Sequence, residues 1–267
     1  MSSDTGEGKR PAFRKIDLHT HTTFCDGKNT PEEMVEEAVR RGMETIGLCV
    51  HTHTPFDERY CASPEGIRGF LAETARLKEK YKGQIRVLAG AEQDLYSDTD
   101  VSGFDYVIAS AHYIRLGREY YAVDESEEIL KELAAKLDHD FIRLSELYFM
   151  AVDESVRTIR PNIVGHLDLV AKFNENGRLF DESDPRYQAA ARRLIDRLLP
   201  YGITFEVNTG AIARGYRSTP YPSDALRKYI CEQGGKLILN SDAHRKEDLM
   251  YGFEAAAASL CPGGGSI

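Results

Sequence analysis

Seven short apolar, β-branched runs recur along this chain, and six of its eight histidines stand just past one of them. The runs fall at 15–18, 45–50, 86–90, 105–110, 162–165, 203–207 and 236–240, bounded by turn residues and mostly separated by stretches of helical periodicity. Strand alternating with helix marks parallel βαβ units and points to an α/β fold, read here as a seven-stranded TIM-like (β/α) barrel. In such barrels the side chains that do chemistry project from the carboxyl ends of the strands. His19 and His21 follow the first run, His51 the second, Glu92 the third, His112 the fourth, His166 the fifth, and Asp242 and His244 the last.

The connecting segments carry helix signals. Thr30-Pro31-Glu32-Glu33 sets a capping residue before a first-turn proline and acids, and Met34, Ala38 and Val39 then form an apolar stripe that ends near Gly42. Ser63-Pro64-Glu65 opens a second helix the same way, with Ile67, Phe70, Leu71, Ala75, Leu77 and Tyr81 at mixed three- and four-residue spacing before Gly83. Residues 126–159, 184–199, 223–233 and 247–260 read as further helices, and His139 as a surface residue within the first of them. Between the third and fourth runs, residues 96–103 are too few for a crossover helix, so an irregular barrel is expected.

At 267 residues and 42% hydrophobic the chain suffices for one barrel domain over 14–260, with polar tails expected to be disordered at 1–13 and 261–267. A net charge of −9 argues against wrapping long nucleic acid or an anionic membrane, and no apolar stretch approaches the length of a bilayer span. An anionic substrate must therefore be held locally, by cations and an arginine or two. Cysteines 25, 49, 61, 231 and 261 form no CxxC pair; their odd number argues against a disulfide framework and for a reducing cytoplasm. The sequence assigns no oligomeric state.

His19 and His21, two apart on an extended strand, point the same way and suit one ion or a bridged pair. Asp26 adds an oxygen at a turn before Gly27, Glu92 is placed to bridge two cations, and Asp242-Ala243-His244 sets a carboxylate and an imidazole at one strand end. Imidazole and carboxylate without thiolate suits Zn²⁺, Mn²⁺ or Fe²⁺, and nine such groups exceed what one ion requires, so two or three divalent ions are expected.

The segments DLHTHTTFCDG, His51, GAEQD, SAHY, GHLDLVAKF and NSDAH together resemble, in order, the successive motifs of the polymerase and histidinol phosphatase (PHP) superfamily over roughly residues 15–256. Within it the chain is most similar to the histidinol-phosphate phosphatases. The resemblance implies a distorted seven-stranded barrel with a trinuclear metal site, and carries the ligand roles to His19, His21, Asp26, His51, Glu92, His112, His166, Asp242 and His244. Val50 stands where many relatives have an acid, and Asp26 where some have histidine. His53 is additional, with a proton-donor role open to it.

After the sixth run, Glu206-Val207-Asn208-Thr209-Gly210 leads into Ala213-Arg214-Gly215-Tyr216-Arg217 and Pro220-Tyr221-Pro222-Ser223. A strand-end loop with two arginines suits bidentate phosphate recognition, and the resemblance favours Arg214 and Arg217 over Lys172 and Arg178. The expected reaction is metal-assisted hydrolysis of a small phosphate monoester, L-histidinol phosphate in histidine biosynthesis, with His53, His244 or Asp242 delivering the leaving-group proton. The rival readings are another phosphoesterase on the same scaffold, a protein-tyrosine phosphatase or a nuclease-like diesterase, and a non-catalytic metal-binding regulatory module. An amidohydrolase is disfavoured because no strand end offers the lysine that its carbamylated bridge requires.

Overall fold

The computed structural model describes residues 13–261. Seven strands, β1 (Ile16–His21), β2 (Thr45–His51), β3 (Arg86–Asp94), β4 (Tyr106–Ser110), β7 (Ile163–Val164), β8 (Thr204–Asn208) and β9 (Lys236–Asn240), run parallel in that order round a nearly closed barrel. All seven runs read from the sequence are these strands. β1 and β9 are not joined by a ladder: a single bridge pairs Thr20 with Ala243, three residues past β9, with the His21 amide donating to the Ala243 carbonyl at 2.8 Å. Below that bridge, Asp17 accepts from the Ser241 amide at 3.0 Å and the Met250 amide at 3.1 Å.

Helices α1 (Pro31–Arg40), α2 (Pro64–Lys80), α4 (Phe141–Ile159), α5 (Pro185–Leu198) and α7 (Asp224–Glu232) cover the outside, with short α6 (Gly210–Ala213) and α8 (Phe253–Ala256) completing the set after α3 (Glu127–Ala135). The N-terminal signals act as read: Thr30 and Glu33 form a reciprocal capping box, and Ser63 accepts from the Gly66 amide at 3.0 Å. Residues 95–105 cross from β3 to β4 without a helix.

The floor of the barrel is filled by Leu18, Cys49, Tyr106, Ile108 and Ile163. Tyr106 spans it, its phenol donating to the Leu18 carbonyl. Gly47 and Gly90 make room for that ring, since a Cβ would stand 2.1 Å and 2.4 Å from the Tyr106 hydroxyl oxygen. The β1–β2 register slips between Asp17 and Thr20, so Leu18 joins this floor while His19 and His21 still reach the interior above it.

Several expectations are corrected. The helix over 126–159 is two: residues 136–140 break it, with Asp138 and His139 at positive φ and Asp140 capping α4 by accepting from the Arg143 amide at 2.9 Å. The helix over 247–260 contracts to α8 between 3-10 turns at Lys246–Asp248 and Ala257–Ser259, because Met250 and Gly252 both take positive φ just before α8. An antiparallel hairpin, β5 (Tyr113–Leu116) and β6 (Glu119–Ala122), follows β4 directly and was not read at all. Cys231 and Cys261 form a disulfide, against the expectation of none, because α7 and the C-terminal segment run past each other on the outside of the barrel. Cys261 and Phe13, assigned to the tails, both belong to the packed body, Phe13 meeting the Phe253 ring at 6.0 Å. The remaining tail residues, 1–12 and 262–267, lie outside the described set. Among the described residues no helix is long and apolar enough to cross a membrane.

Candidate metal centre

The carboxyl ends of the parallel strands bring the nine candidate ligands together. β1 delivers His19 and His21, β2 ends on His51, β3 carries Glu92, and the exits of β4, β7 and β9 present His112, His166, Asp242 and His244; Asp26 comes from the β1–α1 loop. Glu92 is the hub. Its Oε2 lies 3.0 Å from His19 Nε2, 3.2 Å from His21 Nε2 and 2.9 Å from His51 Nδ1, and its Oε1 3.0 Å from His166 Nε2 and 3.4 Å from His112 Nε2. Asp242 Oδ1 lies 3.7 Å from His19 Nε2 and 3.5 Å from His21 Nε2, and Asp26 Oδ2 3.2 Å from His244 Nε2.

These atoms cluster with the geometry that cations need. Three groups, His21–Asp26–His51–His244, His19–His21–Asp242 and His51–Glu92–His112, each place their ligand atoms within 4.8 Å of one another. Buried His19 Nε2, His21 Nε2, Asp26 Oδ1, Glu92 Oε2, His112 Nδ1 and His166 Nδ1 make no hydrogen bond. Polar atoms left unpaired at such cost need another partner, and a mixed imidazole and carboxylate set fits two or three borderline divalent ions such as Zn²⁺, Mn²⁺ or Fe²⁺.

The charges explain the local titration. Burial disfavours the carboxylate form of Glu92 and Asp242, but His19 and His51 beside Glu92, and Arg214 and His19 beside Asp242, hold both well below the usual range. Burial likewise disfavours the His19 cation, yet Glu206, Glu92 and Asp242 together raise its pKa well above the ordinary value. His21, desolvated and flanked by His51 and His244, goes down instead.

The surrounding shell was largely missed in the sequence. Glu206 on β8 is fully enclosed and accepts from His19 Nδ1 at 2.7 Å, the His166 amide at 2.8 Å, Asn208 Nδ2 at 2.9 Å and Asn240 Nδ2 at 2.9 Å. It thereby turns His19 Nε2 toward the cluster. Asp94 accepts from the His112 amide at 2.8 Å, and Ser110 Oγ donates to Glu92 at 2.7 Å. The available signal was a polar residue alternating inward on an otherwise apolar strand.

The two arginines separate. Arg214 donates to Asp242 Oδ2 at 2.9 Å and to its carbonyl at 3.0 Å, beside His244. Arg217 is buried and occupied by Glu182 Oε1 at 2.9 Å and the Ala171 carbonyl at 2.6 Å. His53 and His166 both stand outside the three groups; His166 keeps its place beside Glu92 at 3.0 Å, whereas His53 is bonded to Asp98 at 2.8 Å and Glu58 at 3.1 Å. Lys172 donates to the Asp124 carbonyl, and Arg178 pairs with Glu127. Tyr60 packs edge-on to His51, ring centres 5.1 Å apart, at the rim.

A seven-stranded parallel barrel with a clustered histidine–carboxylate centre at its carboxyl end defines a class of metal-assembling hydrolase scaffolds. The chain belongs to the PHP domain family, which matches residues 17–210. It is 26% identical to the histidinol-phosphatase of Bacillus subtilis over 91% of this chain and 98% of that one. Among solved structures, a histidinol phosphate phosphatase from Lactococcus lactis, complexed with zinc, L-histidinol and phosphate, superposes with a TM-score of 0.69 at 21% identity, covering 92% of each chain. A candidate histidinol phosphatase from Listeria monocytogenes gives 0.78 at 18% identity, covering 90% of this chain and 99% of that one.

Proposed function

We propose that this chain is a metal-dependent phosphate monoesterase that hydrolyses L-histidinol phosphate to L-histidinol and phosphate, acting on a small molecule and not on long nucleic acid. The observation that carries the reading is the convergence of nine ligand candidates and Arg214 on one end of the barrel, with buried donor atoms left unpaired. The choice of ester is supported by the match to the Bacillus enzyme along nearly its whole length.

His19, His21, Asp26, His51, Glu92, His112, His166, Asp242 and His244 are the groups that hold the ions. Divalent ions there supply Lewis acidity and an activated water near neutral pH. Glu92, enclosed among five imidazoles, stays ionised and keeps them in one constellation. Arg214, held by Asp242 at the cleft, offers its remaining N–H groups to the phosphoryl oxygens as charge builds on them. Arg217 fixes the loop at Ala171 from behind. Of the three candidates for the leaving-group proton, Asp242 is held ionised beside Arg214. His53, whose bonds to Asp98 and Glu58 raise its pKa, is the one not claimed as a ligand, whereas His244 is.

The test is phosphate release from L-histidinol phosphate, phosphotyrosine and a phosphodiester by protein reconstituted with Mn²⁺ or Zn²⁺, beside His244→Ala. Metal-dependent turnover strongest on histidinol phosphate and lost in the variant is the expected result. Faster turnover of phosphotyrosine or the diester overturns the substrate assignment; no turnover of any ester overturns the enzyme reading.

A further inference from the structure

The β5–β6 hairpin departs from the strand–helix repeat and returns the chain to the barrel mouth. The Val123 amide donates to the His112 carbonyl at 2.9 Å, so the next residue, Asp124, stands beside a metal-ligand candidate. Lys172, six residues past His166, bonds the same residue, so Asp124 lies between the exits of β4 and β7.

Asp124 differs from the acids that face the candidate ions in being only loosely paired. Glu92, Asp242 and Asp26 face histidines, Glu206 takes four donors, and Asp94 holds the amides of His112 and Tyr96. Among the described residues, the one side chain paired with Asp124 is Lys172, whose Nζ lies a long 3.4 Å from Oδ2 while donating at 2.6 Å to the Asp124 backbone carbonyl. The Asp124 side chain is 27% exposed. A carboxylate held only by a long contact to Lys172 and partly open at the mouth of a site for an anion suits a cation on the same ligand.

We infer that Asp124 is the specificity-determining residue for the leaving group, accepting the ammonium of an amino-alcohol phosphate whose phosphoryl end lies at the ions and Arg214. The inference rests on the proposed function, which supplies the ester: histidinol carries its amine on the carbon next to the one bearing the ester oxygen, so the amine stays within reach of a carboxylate at the rim. A charge-assisted hydrogen bond there selects amino esters over neutral analogues.

The experiment compares kcat/KM for L-histidinol phosphate, its des-amino analogue 3-(imidazol-4-yl)propyl phosphate and p-nitrophenyl phosphate, in wild type and Asp124→Asn, with metal content and circular dichroism matched. Asp124→Asn is expected to cost about 10- to 100-fold on the amino ester, mostly in KM, and little on the other two, collapsing the amino-to-des-amino ratio. Equal losses on both imidazolyl esters make Asp124 only a strut for Lys172 and overturn the inference, as does an unchanged ratio. The proposed function fails separately, when wild type prefers p-nitrophenyl phosphate to histidinol phosphate; the ratio between the paired esters still reads the role of Asp124. Should Asp124→Asn not fold, Asp124→Ser is scored by the same ratio.

Discussion

Breaking the Cys231–Cys261 bond is expected to destabilise the protein by an amount that its loop length fixes in advance. The two residues are 30 apart, and the closed loop contains all of β9 together with Asp242 and His244. Loop-closure entropy for such a length is about −12 cal/mol/K, so the oxidised unfolded chain is disfavoured by about 3.6 kcal/mol at 25 °C. Cys25, Cys49 and Cys61 are already free thiols, so mild reduction acts on the disulfide alone. Urea unfolding of the metal-free protein, oxidised, reduced and as Cys231→Ser/Cys261→Ser, gives the comparison. The reduced protein and the double variant should lose the same 3 to 4 kcal/mol, about the loop term, through a lower midpoint. A loss below about 1 kcal/mol would refute the entropic reasoning. A loss in the variant but not on reduction would place the effect in packing around the two side chains.

Glu206→Gln puts an amide N–H₂ among four donors and should weaken metal retention about 10- to 100-fold against a competing chelator; unchanged retention with an intact fold removes Glu206 from the centre. Burial raises Asp168 to about 6 from 3.8, so its contribution to stability is full below 3.8 and is lost as pH rises through 6, by about 3 kcal/mol. Asp168→Asn should therefore gain on wild type by about that amount between pH 4 and pH 7 in paired urea melts, and a flat difference contradicts it. Gly47→Ala drives a methyl into the Tyr106 hydroxyl, costing about 1–3 kcal/mol by overpacking, and Tyr106→Phe in the same chain should recover part of the melting temperature.

The barrel was legible because strands buried on both faces must be continuous apolar runs, and because a ligand at the end of such a run interrupts it abruptly, as His51 and His112 do. The placement of eight of the nine candidates follows from that; Asp26, in the β1–α1 loop, was read from its turn and from the family resemblance. What escaped was set by longer-range contacts. Glu206 and Asn240 alternate inward on strands that otherwise read as core, and nothing local distinguishes a carboxylate that orients His19 from one that faces solvent. Ile114-Arg115-Leu116 is too short and too polar outside to announce a hairpin, and Asp140 ends one helical stretch only by capping the next. Arg214 and Arg217 are indistinguishable as residues; Glu182, far from either in sequence, decides which is taken. Cysteine parity likewise says nothing about one pair.

The seam of the barrel gives the centre a mechanical meaning. β1 and β9 share one bridge, yet His19 and His21 stand on one lip of that gap and Asp242 and His244 on the other. A cation gripped by both lips is a rivet, and its binding energy becomes closure energy for the first and last strands. Stripping the ions then loosens the join before it unfolds anything else. On metal removal, amide exchange at His21 and Ala243 is expected to quicken while the β2–β3 ladder stays protected, which would tie closure of the first and last strands to the proposed ligands.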